Sequence, residues 1–168
     1  MRRSLSYLIA FGLYVSLVSP ANVLAADGDR AASLVGDWAC VTYIGTKTTK
    51  HVTRDADGTL QLDNVFSLND GTTETIHETY RFDQASSTWS VVGSAGPTFG
   101  PYTGTAKPWA DQQWIFDGSE PLAYADGSKK VTNVRMVYTD VFPAGFRREH
   151  QIQNNGAWRD ISEEVCTK

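Results

Sequence analysis

The residues of this chain that could do chemistry are few, and their spacing says more than their number. Arg148 and His150 stand two positions apart in Phe146-Arg147-Arg148-Glu149-His150-Gln151-Ile152, so in an extended strand they share a face with Phe146 and Ile152. That face is apolar at both ends. A guanidinium placed on it needs a partner, because an unpaired buried charge is costly. Glu74 and Glu78 hold the same position in another alternating segment, on a face with Ile76, Tyr80 and Phe82. A buried Arg148–Glu78 pair is one reading. The other is that Arg148 and His150, with Tyr80 and Tyr138, present polar groups to a ligand. His150 also has the chemistry of an axial haem ligand, or of a general acid–base partner to Glu78. His51 and His77 fall on polar faces and read as solvated. No glycine-rich phosphate loop, zinc-ligand spacing or G-x-S-x-G elbow is present, so no catalytic set and no metal site are assigned.

The elements that must position these groups are strands. From Leu34 onward no stretch keeps a helical period, and turn signals recur about every ten residues. Leu60, Leu62, Asn64, Phe66 and Leu68 alternate with Gln61, Asp63, Val65 and Ser67, a mostly polar set. Asn69-Asp70-Gly71 then marks a hairpin. Trp89, Val91 and Gly93 share a face, as do Trp114 and Phe116 before a turn at Asp117-Gly118. Val134, Met136, Tyr138 and Phe142 share one after Asp126-Gly127, and Pro143-Ala144-Gly145 leads into the Arg148 strand. Asn154-Asn155-Gly156 leads into a last strand in which Trp158 and Cys166 have the same parity. With Val35–Ile44 and Thr48–Arg54 the count is eight to ten. The prolines and glycines between Gly93 and Trp109 read as the longest irregular segment, placed to cover a pocket as a lid. Connections this short favour a meander. Closing the meander removes its two edges, so the expected fold is all-β: an antiparallel up-and-down barrel.

The first 25 residues read as an address. Met1-Arg2-Arg3 is basic, Leu5 to Val18 is mostly apolar, and Val23-Leu24-Ala25 has the small residues of a cleavage site, the layout of a signal peptide. The apolar run is about 14 residues, shorter than the roughly 20 that span a bilayer. The expectation is an exported protein, periplasmic or extracellular, with residues 26–168 as one domain and no membrane span in the mature part. Removing Ala25 and everything before it takes away Arg2 and Arg3 and no acid, so the formal net charge moves from −4 to −6. Such a surface repels phosphate backbones and excludes nucleic acid as an expected partner.

An oxidising compartment bears on the two cysteines. Cys40 is in the first strand and Cys166 in the last, which are neighbours in a closed meander. A disulfide between them is expected; the chain-entropy model gives it roughly 4–5 kcal/mol. Two separate buried thiols are the alternative.

Gly36-Asp37-Trp38 at the head of the first strand resembles the opening of lipocalin-type (calycin) barrels, in which the tryptophan plugs the closed end. Tyr80-Arg81-Phe82-Asp83 followed by Trp89, then Gly156-Ala157-Trp158 and the closing Cys166-Thr167-Lys168, are similar to secreted bacterial lipocalin-like domains of unknown function. The resemblance implies a barrel and no particular activity. A lumen of this kind can hold a small apolar or amphipathic molecule. The pocket would be formed by Tyr80, Tyr138, Arg148 and His150 beneath the Gly93–Trp109 segment, with side-chain bulk at one end and space at the other. A filled barrel with a structural or protein-interaction role is the alternative, and a haem-binding barrel or an enzyme using His150 with Glu78 is the second.

Overall fold

The computed structural model describes residues 30–67, 70–94, 100–123, 127–142 and 144–168. The expected signal peptide lies outside them, as do Leu68, Asn69, Asp126 and Pro143 of the expected strands and turns. Ten strands follow one another: β1 (Gly36–Thr42), β2 (Lys47–Arg54), β3 (Leu60–Ser67), β4 (Thr73–Asp83), β5 (Thr88–Ser94), β6 (Tyr102–Ala106), β7 (Gln113–Ala123), β8 (Lys129–Phe142), β9 (Gly145–Asn154) and β10 (Ala157–Thr167). Each pairs antiparallel with the next, and β10 pairs with β1, closing the barrel. No helix among the described residues is long and apolar enough to cross a membrane.

Period-two alternation builds the wall. In β2, Thr48, Lys50 and Val52 are buried while Thr49, His51 and Thr53 are exposed; β5 and β6 alternate as strictly. The lower end of the lumen, where β1 begins, is packed with aromatic rings. Trp38 meets Phe146 edge-on at 4.9 Å and Trp89 meets Trp114 at 4.8 Å between centroids. A helical turn over residues 30–33 precedes β1 and buries Ala31, and Leu34 is buried just after it. The Trp38 indole donates to the Leu34 carbonyl at 2.7 Å, and Lys168 Nζ lies 4.6 Å from the same ring. Gly36 joins turn and strand with φ 131°, a conformation that side-chain-bearing residues avoid.

The seam between first and last strands is cross-linked. Cys40 and Cys166 are direct partners in the β1–β10 register and are disulfide-bonded.

Four expectations about the wall are corrected. Residues 102–106 are not part of a lid. They form β6, paired on both sides, with Tyr102, Gly104 and Ala106 facing in. The prolines there flank the strand at Pro101 and Pro108 and leave its ladder donors intact. Residues 95–99 of the expected lid lie outside the described residues. Asp117-Gly118 is no turn: β7 continues through Gly118 to Ala123. A Cβ on Gly118 would stand 1.9 Å from the Thr103 carbonyl oxygen of β6, so this glycine serves close strand approach. Phe142 is 62% exposed and Val141 takes the inward position. The register shifts between Thr139 and Phe142, with Asp140 at φ 51°, and an extra residue inverts parity. A second shift, between Asp160 and Ser162, has the same effect in β10. Trp158 therefore lies outside, with the Arg135 guanidinium 4.3 Å from its ring, while Cys166 faces in.

Candidate functional site

Above the aromatic floor the lumen carries a belt of buried charge. Arg148 on β9 donates through Nη2 to Glu78 Oε1 on β4. The other oxygen of Glu78 accepts from the Tyr80 hydroxyl at 2.5 Å, and Tyr80 meets the Tyr138 hydroxyl at 2.6 Å. Beside Arg148, on the neighbouring strand, Glu164 Oε2 of β10 lies 2.8 Å from Lys50 Nζ of β2. Thr48 donates to Glu164 Oε1 at 3.0 Å, and Arg148 Nη1 stands 4.0 Å from Glu164. The alternation put each of these residues on an inward face, and closure of the sheet brought them together.

The charges hold one another. Burial works against the charged Arg148, but Glu78, the two tyrosines and Glu164 more than restore it, so its pKa rises. Burial alone would raise the Glu164 carboxyl. Lys50, Arg148 and the Thr48 hydroxyl instead hold it below the usual range. Burial pulls Lys50 down to about 8 against the attraction of Glu164. Burial also raises both tyrosine hydroxyls, helped for each by Glu78, so they stay protonated and available as donors.

Above the belt, where β3, β5, β7 and β9 end, lies a partly open cavity of about 100 Å³. Phe66, Ile76 and Met136 supply apolar lining; Asn64, Tyr102, Glu120, Ser162, Arg148 and His150 supply polar lining, with Glu78 and Glu164 at its base. Arg148 and His150 thus line the cavity together. Tyr80 and Tyr138 sit one layer lower, bonded to each other beneath it. His150 Nε2 faces Glu120 Oε1 at 3.4 Å. Burial pushes the Glu120 carboxyl up to about 7 and brings His150 down to about 4. Near neutral pH the histidine is therefore uncharged and the carboxyl is close to its midpoint.

Four buried polar atoms on residues lining this cavity have no hydrogen-bond partner among the described residues: Asn64 Oδ1, Tyr102 Oη, Arg148 Nε and His150 Nε2. Buried polar groups are nearly always satisfied; the indole nitrogens of Trp89 and Trp114 in the floor also lack a partner among the described residues. Chemically the cavity lining offers acceptors, donors and one titratable carboxyl beside an apolar wall.

His51 and His77 lie outside, paired through Nδ1 with Asp37 at 2.5 Å and Asp63 at 2.6 Å. The register sets Asp37, His51, Asp63 and His77 side by side across four strands. No group of three His, Cys, Asp or Glu side chains among the described residues could hold a metal ion.

Sequence reasoning missed Glu120, because the strand was ended at Gly118, and missed Tyr102 along with all of β6. It also passed over Lys50 and Glu164, although their parity with Val52 and Cys166 was a readable signal.

No protein-family model matches this chain, and no curated protein matches it in sequence.

Proposed function

We propose that this chain is an exported, lipocalin-like binding protein that holds a small amphipathic molecule in the upper cavity. The observation that carries this reading is the partly open cavity above the aromatic floor and the charged belt, where Phe66, Ile76 and Met136 stand beside Asn64, Glu120, Arg148 and His150, and where Asn64 Oδ1, Arg148 Nε and His150 Nε2 have no hydrogen-bond partner among the described residues. Replacing those missing hydrogen bonds favours a ligand with a polar head. The cavity is smaller than the roughly 300–1,000 Å³ of pockets that engulf drug-sized ligands. It accepts a head group and a short body, and a longer tail would reach out through the mouth. A porphyrin exceeds it, which weighs against haem on His150. Both oxygens of Glu78 are taken by Arg148 and Tyr80, which weighs against Glu78 as an acid–base partner of His150. Removal of residues 1–25 belongs to the same reading. It is supported by the basic, apolar and small-residue layout and by a disulfide that an oxidising compartment maintains.

Native mass spectrometry of protein taken from its source tests the proposal. A mature mass starting at Ala26, carrying an adduct that denaturation releases, is the expected result. A bare mass, together with no binding of any small amphiphile by the purified protein, would leave a filled barrel of structural or protein-interaction role.

A further inference from the structure

Taking the upper cavity as a binding site, we propose that its ligand carries a small organic cation, an alkylammonium head, held by Glu120. Three carboxylates line the cavity. Glu78 has Arg148 as its own cation and Glu164 has Lys50. Glu120, on β7, has only His150, at 3.4 Å, and burial keeps that ring neutral. With Lys50 counted from just outside the lining, Glu120 is the one of these three carboxyl groups with no Lys or Arg of its own among the described residues.

An anionic head fits this arrangement badly. Arg148 is the one Lys or Arg among the described lining residues, already bound to Glu78 and 4.0 Å from Glu164. A carboxylate or phosphate arriving there would meet three acids in a place with little water to screen them. A neutral alcohol would satisfy some unpartnered atoms and leave Glu120 uncompensated. An ammonium supplies up to three N–H donors, and Glu120 and the unpartnered His150 Nε2, in the tautomer protonated on Nδ1, are two acceptors in contact range of each other. The neighbouring lining suits the rest of such a molecule: Phe66, Ile76 and Met136 give it an apolar surface.

The Glu120 carboxyl, raised to about 7 by burial, must ionise to hold the cation. The charged and titratable groups around it are His150 and Arg148 on β9, Glu78 on β4 and Tyr102 on β6. Of these, Arg148 and Glu78 keep their charges paired, and Tyr102, raised by burial, stays neutral. Uptake of a permanently protonated amine therefore strengthens by about tenfold from pH 6 to pH 8, while uptake of a neutral molecule does not.

The test titrates hexylamine, hexan-1-ol and hexanoate into the mature protein and into Glu120→Gln, by calorimetry or by NMR of the tryptophan indoles, at pH 6 and pH 8. The expected result is hexylamine bound at least tenfold more tightly than hexan-1-ol at pH 8, with hexanoate weakest. The amine's advantage should shrink at pH 6 and vanish in Glu120→Gln. Equal binding of amine and alcohol by the unsubstituted protein, or preference for hexanoate, overturns the cation assignment and keeps the binding site. That comparison does not depend on the variant folding. If none of the three binds the folded protein, the binding-site reading itself falls.

Discussion

The hydroxyls of Tyr80 and Tyr138 meet 2.6 Å apart in the barrel interior, one from β4 and the other from β8. Three strands separate these two along the shorter way round, so the contact bridges the lumen. It divides the interior into a filled floor and an upper chamber. Tyr80 also donates to Glu78, which binds Arg148, so the bridge is tied to the charged belt just above it.

That belt should respond to substitution as a coupled unit. Arg148→Met strands Glu78 as a buried, uncompensated charge and is expected to cost about 3–5 kcal/mol. The double variant Arg148→Met, Glu78→Met removes both charges and should be clearly more stable than Arg148→Met alone. Urea unfolding of the set measures the coupling. A double variant no better than the single would mean that packing, not the unpaired charge, dominates the loss.

Gly118→Ala should be among the most damaging small substitutions in the wall. Its Cβ would overlap the Thr103 carbonyl oxygen and approach the Gly104 Cα within 2.7 Å, and both neighbours are backbone. Separation of β6 from β7 is expected, with a loss of at least about 1–3 kcal/mol. Thermal melting and amide exchange in β6 would register it.

The Cys40–Cys166 bond links residues 126 positions apart. Replacing both cysteines with alanine is expected to lower stability by about 2–4 kcal/mol. Peptide mapping without reductant should give one linked pair. Free thiols in the oxidised native protein would contradict the seam described above.

Glu120 and His150 make opposite contributions to stability against pH. Glu120 binds its proton more tightly folded than unfolded, because burial raises its pKa from the ordinary 4.5 to about 7. Its contribution is complete below about 4.5 and fades as pH rises through 7. His150, at about 4 folded against 6.5, weakens the fold as pH drops from 6.5 towards 4. Glu120→Gln should accordingly gain on the parent protein as pH rises from 4.5 to 7, by on the order of 1–3 kcal/mol. A difference independent of pH, measured by denaturation at several pH values, would show that Glu120 ionises freely in the folded state.

His150→Ala separates an open chamber from a packed one. The Nε2 atom makes no hydrogen bond among the described residues and only a 3.4 Å contact with Glu120, so stability should fall by less than about 1.5 kcal/mol while uptake of a bound amphiphile is lost. A loss of several kcal/mol with no ligand bound by the parent protein would mark His150 as packing.

Alternation along the chain was enough to determine the all-β class, the meander, and the inward faces of Trp38, Glu78, Tyr138, Arg148 and His150, because a strand's side chains have a fixed period of two. The placement of Cys40 and Cys166 in the first and last strands pointed to the closing seam. Only the tertiary structure decided what one added residue undoes. The bulges near Asp140 and Asp160 turn Phe142 and Trp158 outward, and no local pattern marks a bulge. It also decided that Gly118 continues a strand, since that glycine answers to a β6 backbone brought there by pairing, and with it that Glu120 enters the lumen. Parity assigns a face and says nothing of height. Which of Glu74, Glu78, Glu120 and Glu164 would meet Arg148, and which would stand beside His150, was settled by the stagger of strands around the closed barrel.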